Sequence, residues 1–343
     1  MASISKEKSG WRVQIAVQGI RESRTFSTKG EASSWAAQRE TDIRTEKATG
    51  VQRGRTVDDA FRRYEKEVSV HKRGHAKEAI RLAAIARMPI DGVALADWKL
   101  ADVTSDVLGR WRDNRLKGSQ AKNFEDKVLG SSVNRDLNLL SHVFSSAVKE
   151  WKWIAKSPTT DVRRPADPPP RDRLYSEDEV ERLCAALGID VGQAEPVESK
   201  TQRVGIAFLF AIETAMRAGE ICGLRPEHIS GRVATLLETK NGTKRAVPLS
   251  SRAAALLELL PAPVEGGTVF GITAASLDAL FRKARNGSMI TEGTFHDTRH
   301  LAITRLAKKL SVLDLARMVG HRDLRQLQVY YNESAEDIAA RLN

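Results

Sequence analysis

His296-Asp297-Thr298-Arg299-His300 is the stretch from which the rest of the chain can be read. Its first histidine and its arginine are three residues apart, so a helix would carry His296 and Arg299 on one face. Downstream, Gly320 reads as a helix-ending glycine, His321 follows it, and Tyr330 lies nine residues beyond His321 on a further short helix. Upstream, Thr214-Ala215-Met216-Arg217-Ala218-Gly219-Glu220 sets an arginine at a helix junction, with a carboxylate three residues on to orient it. Between these stretches, Val233 to Glu238 and Lys244 to Leu249 flank Asn241-Gly242, the pair preferred in a type I′ turn. That hairpin would hold Lys240 at its tip, where a long ammonium can reach out from a rigid support. Ser176 and Glu179 form a capping box that opens this part of the chain, which otherwise reads as helices.

Toward the N-terminus, Pro165-Ala166-Asp167-Pro168-Pro169-Pro170 makes a stiff extended connector, because proline blocks both helix and ladder. Before it, from Thr56 to about Ser157, the pattern is helical. Val57, Ala60, Phe61 and Tyr64 form one stripe, and Leu137, Leu140, Phe144, Ala147 and Trp151 another. Trp11, Val13, Ile15 and Val17 alternate with polar residues at the period of a half-buried strand. A turn at Gly19-Ile20 leads to a second strand, Ser23 to Phe26. Thr28 and Glu31 then cap a helix with Ala32, Trp35, Ala36 and Arg39 on one side. Thr45 to Arg55 reads as a linker. The expected fold is mainly α with small β elements (α+β). It has a strand-strand-helix module over 1–50, a helical domain over 56–165 and a mixed α/β domain over 173–343.

The net charge of +11 favours a polyanionic partner, and residues 61–170 carry most of the excess. No apolar run approaches the roughly 20 residues that span a bilayer, and the start lacks the apolar core of a signal peptide, so the cytoplasm is the expected compartment and no membrane partner is expected. Cys184 and Cys222 have neither metal-ligand nor redox-motif spacing and read as core thiols. No cysteine or carboxylate cluster completes a zinc shell around His296 or His321.

Breaking and resealing a phosphodiester without metal or nucleotide needs a nucleophile, cations for the non-bridging oxygens and an acid for the leaving oxygen. Residues 173–343 offer each. An arginine in an A-x-R-x-x-E setting, a hairpin lysine, H-x-x-R, then G-H and a tyrosine nine residues later resembles the ordered signature of the tyrosine recombinases. Any one element is weak; five in order are specific. Position by position, Arg217, Lys240, His296, Arg299, His321 and Tyr330 match the family's catalytic set, and Glu220 matches its accessory carboxylate. The helical segment is similar to the family's core-binding domain, and Gly10 to Ala32 to the arm-binding domain of phage integrases.

The resemblance implies that Tyr330 attacks the scissile phosphate to give a 3′-phosphotyrosyl link and a free 5′-hydroxyl, with strand exchange inside a homotetramer on double-stranded attachment-site DNA. It implies Arg217 and Arg299 as the phosphate clamp, His321 as a further hydrogen bond, Lys240 as the acid and His296 as the aid to proton transfer at the tyrosine. No cofactor, neither ATP nor metal, is required. His300 reads as structural. Tyr331 adjoins Tyr330, but one residue turns a helical side chain by roughly 100°, and the family's spacing from His321 selects Tyr330. The expected activity is integration and excision of a phage or mobile element, with an excisionase and a host DNA-bending protein left open as partners. The alternatives are a type IB topoisomerase-like nicking-closing enzyme and a catalytically silent DNA-binding regulator.

Overall fold

The computed structural model describes residues 2–7, 9–49, 54–117, 128–168, 173–237, 244–321, 323–331 and 339. The chain divides into two compact units, Met1–Pro170 and Arg171–Asn343. Pro169 and Pro170 of the expected connector lie outside the described residues.

The first unit opens with a three-stranded antiparallel meander, β1 (Ala2–Glu7), β2 (Gly10–Val17) and β3 (Ile20–Phe26). Two strands were expected. Ala2–Glu7 has a mixed polar sequence whose side chains stay largely exposed, so its pairing with β2 leaves little periodic signal. The β2–β3 turn residues are Gln18 and Gly19, both at positive φ, because Val17 pairs with Ile20; the turn sits one residue earlier than expected. Gly10 has φ 144°, and a Cβ there would lie 2.4 Å from the Phe26 carbonyl oxygen, so only glycine fits that crossing. Helix α1 (Lys29–Thr49) buries Ala32, Ala36 and Ile43 against Val13, Ile15 and Val17, and Thr28 and Glu31 make the expected reciprocal cap. The helix runs to Thr49, so the linker expected from Thr45 does not begin there. Polar residues with good helix propensity extend a helix as readily as they form a linker.

A second core in this unit gathers α2 (Val57–Glu67), α3 (His75–Ala86), the short β4 (Pro89–Ile90) and β5 (Val93–Ala94), α4 (Ser105–Lys117) and α5 (Gly130–Lys149). Phe61, Tyr64, Leu82, Trp111, Leu140 and Phe144 are its centre, so both expected stripes are core. The Arg63 guanidinium lies 5.0 Å from the ring centroids of both Trp151 and Trp153.

The second unit is built on α7 (Lys200–Thr214), which follows α6 (Glu177–Ala186). Ten of its residues are buried, and the run Val204-Gly205-Ile206-Ala207-Phe208-Leu209-Phe210 is apolar on every side, as a central helix requires. Around it come α8 (Ala218–Cys222), the antiparallel sheet β6 (Ile229–Ser230), β7 (Val233–Leu236) and β8 (Arg245–Pro248), and the helices α9 (Ser251–Glu258), α10 (Ala274–Gly287), α11 (Asp297–Ala307) and α12 (Val312–Val319). Two 3-10 turns follow, Leu324–Gln326 and Gln328–Tyr330. Phe208, Phe281 and Phe295 stack at centroid separations of 5.5 Å, each ring contributing about 1.5–3 kcal/mol by burial. This packing fixes α11 against α7. Among the described residues, no helix is long and apolar enough to cross a membrane.

Candidate active site

Helix α7 ends where Ala215 adopts the left-handed conformation, φ 55°. The chain turns there, and Arg217 becomes the residue that caps α8. Glu220, three residues on, accepts the Arg217 backbone N–H at 2.8 Å and its Nη1 at 3.0 Å. The same carboxylate accepts two parallel bonds from Arg245, Nη1 at 2.9 Å and Nη2 at 2.7 Å. This bidentate fork is the strongest geometry for such a pair. The side chains of Glu220 and Arg245 are 8% and 7% exposed, that of Arg217 25%. Burial opposes the charge on Glu220, but the bonds from Arg245 and from the Arg217 backbone outweigh it and hold the carboxyl below its ordinary pKa.

Arg299 lies in the first turn of α11, which Asp297 opens by accepting the Thr294 N–H at 2.7 Å. Its guanidinium donates to the carbonyls of Ala215 and Val319, and Nη2 donates to Nε2 of His321 at 3.2 Å. Two helix ends are thereby pinned to one side chain. Burial, then the nearby Arg217 and Arg245, push Arg299 down to about 9, so it stays charged at neutral pH. His321 follows Gly320, the left-handed residue at the end of α12 with φ 72°. A Cβ on Gly320 would lie 3.1 Å from the Arg245 side chain, so glycine serves the turn and the arginine together. Burial and the three arginines push His321 down to about 4. It is therefore neutral, Nε2 is the acceptor, and Nδ1 carries a buried proton with no partner among the described residues.

Tyr330 ends the second 3-10 turn and is half-buried; its hydroxyl and Nδ1 of His300 share a hydrogen bond of 2.7 Å. Burial raises the phenol pKa, and Arg299 opposes the rise. Tyr331 turns away, donating its hydroxyl to the Leu310 carbonyl at 2.9 Å. His296 stands exposed at the start of α11, its ring 6.0 Å from that of His300. Partial desolvation, with His300 and Arg299 near, lowers its pKa.

Of the residues expected from sequence, Arg217, Glu220, Arg299 and His321 converge, while Tyr330 is bonded to His300, whose ring lies next to that of His296. Lys240 and the Asn241-Gly242 turn lie outside the described residues, although β7 and β8 flank them. Two neighbours, Arg245 and His300, stand in the site outside the expected set, and the sequence alone reads His300 as structural. Arg245 occupies the inward register of β8 with Val247, an alternation that buried Leu249 continues past the strand, and a charge in an apolar alternation is a sign of a buried partner. His300 is four residues from His296 on one helix face, a spacing that places both rings together.

The phage integrase family matches residues 173–337. A putative integrase/recombinase of Haemophilus influenzae is 36% identical over 337 residues, covering 96% of this chain and 87% of that protein. The shufflon-specific DNA recombinase of Escherichia coli is 35% identical over 292 residues, covering 84% of this chain and 72% of its own length. Among solved structures, the Tn1549 transposon integrase in complex with circular intermediate DNA aligns with a TM-score of 0.63 at 18% identity, over 84% of this chain and 99% of that one. The lambda integrase dimer bound to a COC′ core site gives 0.62 at 17% identity, over 95% of this chain and 93% of that one, and both speak to the fold. Since the Haemophilus relative extends over nearly the whole of both chains, and the family match encloses every residue of the arginine cluster, the chain belongs to the phage integrase family and is a tyrosine site-specific recombinase.

Proposed function

We propose that Tyr330 is the covalent nucleophile of this recombinase and that Arg217 and Arg299 bind the scissile phosphate. The carrying observation is the charge balance of the site. Three arginines converge, Glu220 is the carboxylate that meets two of them, and Arg299 is held by carbonyls and a neutral histidine. Surplus buried cations are stabilised by a bound anion, and a phosphodiester is that anion for a DNA recombinase.

In the proposed reaction Tyr330 Oη attacks phosphorus, the bond to the 5′-oxygen breaks, and that oxygen takes a proton from Lys240. The phosphotyrosyl bond retains the energy needed for religation, so the 5′-hydroxyl of a partner strand attacks it in the reverse sense. His321 orients the Arg299 guanidinium for the phosphate by accepting from its Nη2, and His296 assists proton transfer at the tyrosine through His300, whose ring it meets. Residues 1–50 act as an arm-type DNA-binding module and residues 56–165 as the core-binding domain. The lambda integrase forms a tetramer bound to a Holliday junction, and we expect the same assembly here, on double-stranded attachment sites in the cytoplasm. The direction is integration and excision of a mobile element. Recombination within a shufflon is a second reading, favoured by the likeness to the shufflon-specific DNA recombinase.

Two duplexes carrying the core site, one nicked to trap the intermediate, test this reading. The full chain should form a covalent protein–DNA adduct and exchange strands between the duplexes. Relaxation of supercoils without exchange would make it a nicking-closing enzyme, and binding without an adduct a silent regulator. On a plasmid with two sites, direct repeats should yield excised circles; products only from inverted repeats would count against excision.

A further inference from the structure

The proton of the nucleophile needs an acceptor. An unperturbed phenol has a pKa near 10, and burial raises that of Tyr330 further, so well under ~1% is ionised at neutral pH. Three histidines stand in the site. His321 is a poor base: its Nε2 already accepts from Arg299, and three arginines disfavour a second proton. His296 is exposed at the start of α11, and its ring meets that of His300, at 6.0 Å and nearly perpendicular. The ring nitrogen in contact with the phenol oxygen is Nδ1 of His300, at 2.7 Å.

We propose that His300 is the general base for Tyr330, a catalytic residue beyond the six of the sequence signature. The proposal rests on Tyr330 being the nucleophile. With the phenol donating, His300 carries its own proton on Nε2 and leaves the Nδ1 lone pair on the hydroxyl. As Oη bonds to phosphorus, its O–H bond breaks, the proton passes to Nδ1, and His300 becomes an imidazolium. The P–O5′ bond breaks on the opposite side, and that oxygen takes its proton from the separate acid, Lys240. In religation the 5′-hydroxyl attacks, Tyr330 leaves as phenolate, and the His300 imidazolium returns the proton. Among the described residues, the titratable and charged groups around His300 are His296 on its own helix, its chain neighbour Arg299, His321 beyond the end of α12, and Tyr330 itself. All of them can carry positive charge except Tyr330, so the new imidazolium depends on the phosphorane, which gains a negative charge in the same step.

The test is single-turnover cleavage of a nicked suicide duplex carrying the core site, with the full chain, from about pH 5 to 10. His300→Asn keeps an oxygen that can accept from the phenol but cannot hold its proton. It should bind the duplex as the parent does, form the adduct about a hundredfold or more slowly at neutral pH, and lose the histidine-like limb of the pH profile. His300→Gly should regain at least about tenfold on addition of imidazole. An unchanged rate and profile in His300→Asn would overturn the proposal. So would a slow His300→Gly that imidazole does not help, or loss of the limb in His296→Asn with its retention in His300→Asn. Should His300→Asn not fold, His300→Gly with and without imidazole decides. An adduct that persists in Tyr330→Phe would instead remove the nucleophile assignment, an outcome separate from any result at position 300.

Discussion

The arginine cluster and the tyrosine turn belong to one site and are held in different ways. Arg299 is 4% exposed and bonded to the ends of two helices, while Glu220 and Arg245 face each other through two bonds in a buried pair. Tyr330 sits on a turn of three residues, half-buried, with one side-chain bond to His300. Groups that must match a phosphate gain from being fixed in advance, since reorganisation at the moment of reaction costs rate. A nucleophile that attacks, stays bonded and is released in each exchange gains from a segment with few internal ties. Rigidity therefore lies in the arginine cluster, and substitutions there and near the tyrosine turn bear on it.

The largest effect is expected from Arg299→Ala. If Arg299 clamps the phosphate as proposed, its loss should slow adduct formation by about 10²–10³ or more in a single-turnover assay, with core-site binding largely retained. A loss below tenfold would mean that the cluster supports the fold and not the chemistry.

Next is Glu220→Ala, which leaves Arg245 as a buried charge without its partner. Breaking such a pair should cost about 3–5 kcal/mol, read as a lower urea midpoint, and Arg245→Met in the same chain should recover part of it. The sign with pH follows from the direction of the shifts. Glu220 has a folded pKa below its unfolded one, so its contribution is complete above about 4.3 and is lost as pH falls through the folded value. His321, pushed down to about 4, likewise contributes fully above about 6.5 and loses that contribution as pH falls toward about 4. Melting temperature should fall on acidification across that window, less steeply in His321→Asn.

Gly320→Ala should cost about 1–2 kcal/mol from its positive φ alone, with some further loss where the new Cβ meets Arg245. Tyr331→Phe is expected to be the mildest. It removes the bond to the Leu310 carbonyl, worth about 0.5–1.5 kcal/mol, and should leave adduct formation intact.

Much of this site was legible in the sequence because its parts are local. The three-residue spacing of His296 and Arg299 places both in one turn, Glu220 caps the helix that Arg217 opens, and Gly320 announces its left-handed turn. What stayed hidden is non-local. The pairing of Arg245 with Glu220 joins a strand to a helix 25 residues away, and the contact of His300 with Tyr330 spans 30 residues. Strand β1 escaped for a related reason: its stability comes from the ladder with β2, while its own side chains lack a buried alternation. The end of α1 at Thr49 was misjudged because polar residues of good helix propensity look alike in a linker and on an exposed helix.

In the proposed reaction the phosphate joins Tyr330 and not its neighbour Tyr331. Trapping the adduct on a nicked core-site duplex, digesting the protein and sequencing the DNA-linked peptide by mass spectrometry tests it at the atom concerned. The nucleotide mass is expected on Tyr330, in the parent and in Tyr331→Phe alike. The same mass on Tyr331, or an adduct of equal yield in Tyr330→Phe, would contradict it.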